Sequence, residues 1–139
     1  MIDREVLRIL DANANRTREA LRVVEDVLRF SYREGRMASA LKDERHRVGR
    51  YCDKLLRQGL RGLKARDTGA DPGRDSMSSG EATKRNLEEI LLSNFRRAEE
   101  GLRVLEETSK LVDVGLARML KRSRFRVYDL ERKCMTSTG

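Results

Sequence analysis

Tryptophan is absent, proline and histidine occur once each, cysteine twice, and aromatics make up 4% of the chain. Scarce aromatics remove the stacking platforms on which single-stranded nucleic acid is bound. Cys52 and Cys134 have neither a metal-ligand spacing nor the pattern of a disulfide framework. The lone histidine, His46, builds no metal site with them without further ligands. No apolar run approaches membrane length, and the opening Met1-Ile2-Asp3-Arg4-Glu5 does not read as a signal peptide. The expectation is a soluble, cytoplasmic protein with reduced thiols and no membrane or nucleic-acid partner. There is no P-loop, no G-x-G-x-x-G and no zinc motif.

What is present is charge and helix formers. Charged residues make up 39% of 139 residues and the net charge is +8. A surface of that sign attracts anions such as phosphates and nucleotides. The acidic residues interleave with the basic ones, which fits salt-bridged helix faces better than a polybasic tail. The abundance of Leu, Arg, Glu and Ala predicts an all-α chain of one domain over residues 1–139.

The apolar periodicity predicts a first helix from Asp3, its N-cap, to about Phe30, and a second from about Met37 to Gly59 with Leu41, Val48, Leu55 and Leu56 inward. Residues 62–80 hold four glycines and the only proline, Pro72. Ser78-x-x-Glu81 reads as a capping box opening a third helix over about 80–112. Gly115 reads as the break before a fourth, running to about Lys133, with 135–139 a frayed tail.

The informative feature is a repeat. Residues 13–26 (N-A-N-R-T-R-E-A-L-R-V-V-E-D) match 94–107 (N-F-R-R-A-E-E-G-L-R-V-L-E-E) at a constant offset of 81. Asn13 pairs with Asn94, Arg16 with Arg97, Glu19 with Glu100, Ala20 with Gly101, and Ile9-Leu10 with Ile90-Leu91. Duplication of a helix–loop–helix unit follows. Halves of about 3–60 and 80–134, joined by the Gly-rich loop 61–79, predict a four-helix bundle with a pseudo-twofold axis.

Helical angles sharpen the repeat. At about 100° per residue, Asn13 falls about 40° and Arg16 about 20° from Ile9, inside the apolar arc, as do Asn94 and Arg97 in their copy. A core-facing Arg must be paired. Two readings stand: Asn/Arg networks that fix the register of the bundle, or polar pockets between the motif helices with Arg16 and Arg97 as anion clamps. Ala20 and Gly101 leave room for a close crossing or a ligand. Arg22-x-x-Glu25 and Arg103-x-x-Glu106 read as outward, solvated pairs. His46 reads as a half-buried helix residue or a pocket donor. The loop carrying Lys64, Arg66, Asp67, Arg74 and Asp75 has the residues to close over phosphates, with Asp67 or Asp71 beside a magnesium ion.

The two motif helices, N-A-N-R-T-R-E-A-L-R-V-V-E-D-V-L-R-F and N-F-R-R-A-E-E-G-L-R-V-L-E-E-T-S-K, resemble a small bacterial helical domain of thiamin biosynthesis. That domain occurs alone or as an N-terminal extension of some thiamine phosphate synthases. It is described as a monofunctional hydroxymethylpyrimidine phosphate kinase, distinct from the ribokinase-like enzyme. The likeness extends over L-K-x-x-R-H at 41–46 and Arg66-Asp67. It implies transfer of the ATP γ-phosphoryl group to the pyrimidine phosphate, normally with Mg²⁺. Arg16 and Arg97 would then clamp phosphates, and Glu19 and Glu100 would orient them or hold metal. Asn13 and Asn94 would read the pyrimidine edge or a phosphate oxygen. His46, Arg66 and Asp67 complete the candidate set. No residue is assigned as catalytic and no protein-borne metal site is expected. A thiamine phosphate synthase or a second copy of the chain is the implied partner. The alternative is a non-enzymatic interaction or dimerisation module.

Overall fold

The computed structural model describes residues 3–59 and 86–138. Within them the chain forms four helices and no strand: α1 (Arg4–Phe30), α2 (Gly35–Gln58), α3 (Leu87–Ser109) and α4 (Val114–Thr138). Arg66, Asp67 and the rest of the expected loop lie outside the described residues, as do Ser78 and Glu81.

Helix ends differ from expectation at three places. The third helix starts at Leu87, because Asn86 holds an extended backbone (φ −150°) and its side chain accepts a 2.8 Å bond from the Glu89 N–H. That is the cap geometry predicted for Ser78. The break before α4 lies at Lys110–Asp113, not at Gly115. The Ser109 hydroxyl donates to the Glu106 carbonyl of its own turn, and the Asp113 carboxylate caps α4 by accepting from the Leu116 N–H. Gly115 sits inside the first turn of α4. The expected tail is helical to Thr138, secured where the Cys134 thiol meets the Met37 sulfur at 3.2 Å and Met135 packs on the core.

Antiparallel neighbours fix the layout. Leu7 lies against Gly59, and Glu25 reaches Arg45, so α1 and α2 run in opposite directions. Glu106 to Arg124 does the same for α3 and α4. Glu44 to Arg126, Met37 to Cys134 and Gln58 to Asp113 do so for α2 and α4. It follows that α1 and α3, the two motif helices, are antiparallel as well. They form the closest-knit pair, with α2 flanking one and α4 the other. The core between them holds Leu21, Val24, Leu28, Leu91, Phe95, Leu102 and Leu105, all fully buried. From the outer helices Leu41, Val48, Leu55, Leu120 and Val127 close it, while Leu56 is half-buried.

No helix among the described residues is long and apolar enough to cross a membrane.

Candidate functional site

The seam between the motif helices is a crossing of small residues. A Cβ on Gly101 would fall 2.2 Å from the Thr17 hydroxyl, so the α3 backbone lies directly on the Thr17 side chain. Thr17, Ala20, Ala98 and Gly101, two pairs related by the duplication, are all buried there. Of the two uses open to the small residue in the motif, Gly101 serves the close crossing.

The motif asparagines serve their own helices. The Asn13 amide donates to the Ile9 carbonyl at 2.9 Å and the Asn94 amide to the Ile90 carbonyl at 2.8 Å. Asn13 is buried and its side-chain oxygen accepts from Arg16 at 3.2 Å. Arg16 and Arg97 themselves are exposed, not core-facing as the helical angles predicted. Ile9, the reference for those angles, is itself exposed, and the buried stripe runs through Leu10, Leu21 and Leu28, about 100° round the helix from it, so Arg16 falls outside the stripe. Glu19 and Glu100 are exposed, and so is His46, which was expected to be half-buried.

The buried charge lies elsewhere. Glu25 and Glu106, read as outward from the sequence, are buried and reach across their hairpins. Arg45 donates through Nε and Nη2 to Glu25 at 3.1 Å, and Arg124 does the same to Glu106 at 3.0 Å. Arg22 pairs instead with Asp26, whereas Arg103 does lie 3.6 Å from Glu106. A second network joins the hairpins. Glu44, fully buried, accepts both Nε and Nη2 of Arg126 at 2.9 Å as well as a bond from Arg47.

These pairs repeat. Residues 38–48 (A-S-A-L-K-D-E-R-H-R-V) match 117–127 (A-R-M-L-K-R-S-R-F-R-V) at an offset of 79, so Arg45 corresponds to Arg124 and Arg47 to Arg126. The offset drops from 81 because α1 runs five residues past Glu25 and α3 only three past Glu106. That second repeat is legible in the sequence once a shift of two is allowed, and it is the signal that would have identified the arginines.

Between α1 and α2 lies an open cleft of about 350 Å³ lined by Asn15, Arg18, Glu19, Arg22 and Arg45. The α1 residues sit at helical spacing on one face and Arg45 rises from α2. Arg45 is held by Glu25, and Arg22 by an exposed pair with Asp26, a contact worth little in water. Arg18 makes no ion pair among the described residues, and its Nε lies over Gly49, 3.7 Å from where a Cβ would be. Three guanidiniums line this cleft; Glu25 and Asp26 pair two of them and Glu19 adds a third carboxylate, so what attracts an anion is Arg18 together with the N–H donors the other two keep after their ion pairs. Of the sequence-predicted residues, Glu19 lines it; Asn13, Arg16, Asn94, Arg97, Glu100 and His46 are not brought to it.

Neither cysteine supplies a nucleophile. Burial pushes the Cys52 thiol up to about 12 and the Cys134 thiol to about 11, so both stay protonated. Among the described residues no group of three His, Cys, Asp or Glu side chains is placed to hold a metal ion.

Residues 8–133 match the ThiD2 family. The chain belongs to that family. Its relatives include proteins named thiamine-phosphate synthase. The one from Gloeobacter violaceus is 43% identical over 134 residues, 96% of this chain and 37% of that protein. Those from Nostoc sp. and Thermosynechococcus vestitus are 40% and 42% identical, over 36% and 34% of their lengths. This ThiD2 chain therefore spans little more than a third of the curated relatives it matches. No solved structure matches it.

Proposed function

We propose that this ThiD2 chain phosphorylates hydroxymethylpyrimidine phosphate to the diphosphate with ATP, a step of thiamin biosynthesis. Membership of the ThiD2 family and relatives named thiamine-phosphate synthase support the pathway. The observation that carries the reaction is the cleft that Arg18, Arg22 and Arg45 line together with Glu19.

The chemistry fits those residue types. The attacking group is a phosphate monoester oxygen, already largely ionised near neutral pH because its second pKa is about 6. No general base is needed. An acceptor oxygen forms the new bond to the γ-phosphorus, the bond to the bridging oxygen breaks, and its electron pair leaves with ADP. The obstacle is bringing two polyanions together, and fixed guanidiniums remove it by charge neutralisation and bidentate positioning. Magnesium takes one or two carboxylates plus substrate phosphates. Glu19 offers one such carboxylate, so the residues present fit an ion carried in by the nucleotide, which would neutralise the β- and γ-phosphates. Arg45 is fixed in place by Nε and Nη2 contacts to the buried Glu25.

The test is a coupled ADP-release assay with the pyrimidine monophosphate, ATP and Mg²⁺, with the diphosphate identified by ³¹P NMR. Arg18→Gln lowers kcat/KM by about 100-fold or more, the usual scale for a lost transition-state donor, while the helical circular dichroism is unchanged. A folded protein that makes no diphosphate rejects the reaction.

A further inference from the structure

The duplication gives two hairpins, but it does not give two clefts. The counterpart of the α1/α2 cleft would lie between α3 and α4, where Arg96, Glu99, Glu100, Arg103 and Arg124 occupy the positions of Asn15, Arg18, Glu19, Arg22 and Arg45. Two differences set it apart. Where α1 presents Arg18 with no ion pair among the described residues, α3 presents Glu99, buried and lacking the cation. Where α2 has Gly49 and His46, α4 has Tyr128 and Phe125. Their rings lie against the Arg124 guanidinium, 5.8 and 4.9 Å from ring centre to Cζ. The guanidinium that corresponds to Arg45 is thus covered by aromatic side chains.

Gly49 is the position that keeps the first copy open. A glycine inside a helix costs roughly 0.5–1 kcal/mol relative to alanine, and nothing in the backbone requires it here, because Gly49 has no positive φ. A Cβ at 49 would meet Arg18 at ordinary contact distance, so a methyl group fits. A ring the size of the tyrosine at the equivalent position would displace Arg18 and enter the space between Asn15, Arg18 and Arg22.

We infer that each chain carries one oligophosphate-binding cleft, between α1 and α2, with Gly49 as the residue that opens it and the α3/α4 copy closed by Tyr128. The inference rests on the cleft being where the kinase reading puts its phosphates, and it adds the stoichiometry and the determinant. It also divides the halves: the first binds and the second serves as scaffold.

Calorimetric titration with inorganic pyrophosphate at low salt tests it. The expected result is one ion per chain. Gly49→Tyr and Arg18→Gln each weaken binding at least about tenfold, the loss of one charge-assisted contact. Gly49→Ala binds as the parent does, and Tyr128→Ala still binds one ion, because the second copy has Glu99 in place of Arg18 and Phe125 still lies against Arg124. The fold of Gly49→Tyr is checked by circular dichroism, and Arg18→Gln, an exposed substitution, carries the test if that variant does not fold. Two ions per chain, undiminished binding in both Gly49→Tyr and Arg18→Gln, loss of binding in Tyr128→Ala, or no saturable binding overturns the inference. One bound pyrophosphate without phosphoryl transfer would reject the reaction and keep the cleft. Transfer that survives both Gly49→Tyr and Arg18→Gln would reject the cleft and keep the reaction.

Discussion

Glu99 shows how far a single side chain departs from what its letter implies. It is buried at the α3/α4 interface facing Glu131, and one carboxylate oxygen of each meets no N–H or O–H donor from the rest of the protein, which leaves a proton shared between them as the way to satisfy both. Burial, then the hydrogen bond and the charge of Glu131, push its pKa from 4.5 up to about 9, against the opposing pull of Arg96. The folded state therefore keeps a proton that the unfolded chain loses above pH 4.5. Stability from this group is complete below that pH and drains away as the pH rises towards 9. Glu99→Gln, which mimics the protonated form, is expected to raise the urea midpoint more at pH 8 than at pH 5. An equal shift at both pH values would contradict the shared-proton geometry. Residue-level placement was the least legible property of the sequence. Helical angles located Asn13 correctly in the interior, but failed for Arg16 and Arg97, because an arc centred on Ile9 is centred on an exposed residue and the buried stripe runs through Leu10, Leu21 and Leu28. They failed in the other sense for Glu25 and Glu106, because the partners that bury them, Arg45 and Arg124, come from another helix.

Helices and their contacts were more legible. The duplication at offset 81 marked out the pair that crosses at the centre of the bundle, and the small residues at the crossing were visible as Ala20 and Gly101. Gly101→Ala drives a methyl into the Thr17 side chain and is expected to cost about 1–3 kcal/mol, measured by denaturant unfolding. Most of that loss should disappear in a Thr17→Ala background, since the clash is with that side chain and its hydroxyl is buried without a partner. The cross-hairpin pairs obey a different rule. Arg124→Met leaves Glu106 buried without its main cation and is expected to lose about 3–5 kcal/mol. Replacing both residues by apolar ones of similar volume recovers most of it, which a double-mutant cycle measures. Element boundaries were missed where caps decided them. Asn86 and Asp113 end the connectors by hydrogen-bonding to backbone N–H groups. Ser78 and Glu81 lie outside the described residues, and Gly115 sits inside α4 instead of ahead of it.

For the whole molecule, the all-α bundle and its internal symmetry follow from composition and repeat, and the structure adds the way that symmetry is broken. Two hairpins share a crossing, matched Glu–Arg pairs and a matched A-x-x-L-K-x-x-R-x-R-V segment. They differ where Gly49 leaves Arg18 lying over α2 and where Tyr128 covers Arg124. Basic residues are spread along all four helices, so net charge alone could not single out the α1/α2 face. The candidate cleft lies on the flank of the first motif helix, and among the described residues Glu19 is the predicted one on its wall. The most direct measurement is turnover of the purified chain with ATP, Mg²⁺ and hydroxymethylpyrimidine phosphate, alongside Arg18→Gln. One ADP is released per diphosphate formed, and the rate falls by about 100-fold or more in the variant. Diphosphate formation at the same rate in a folded Arg18→Gln protein, or none in the parent, would contradict this.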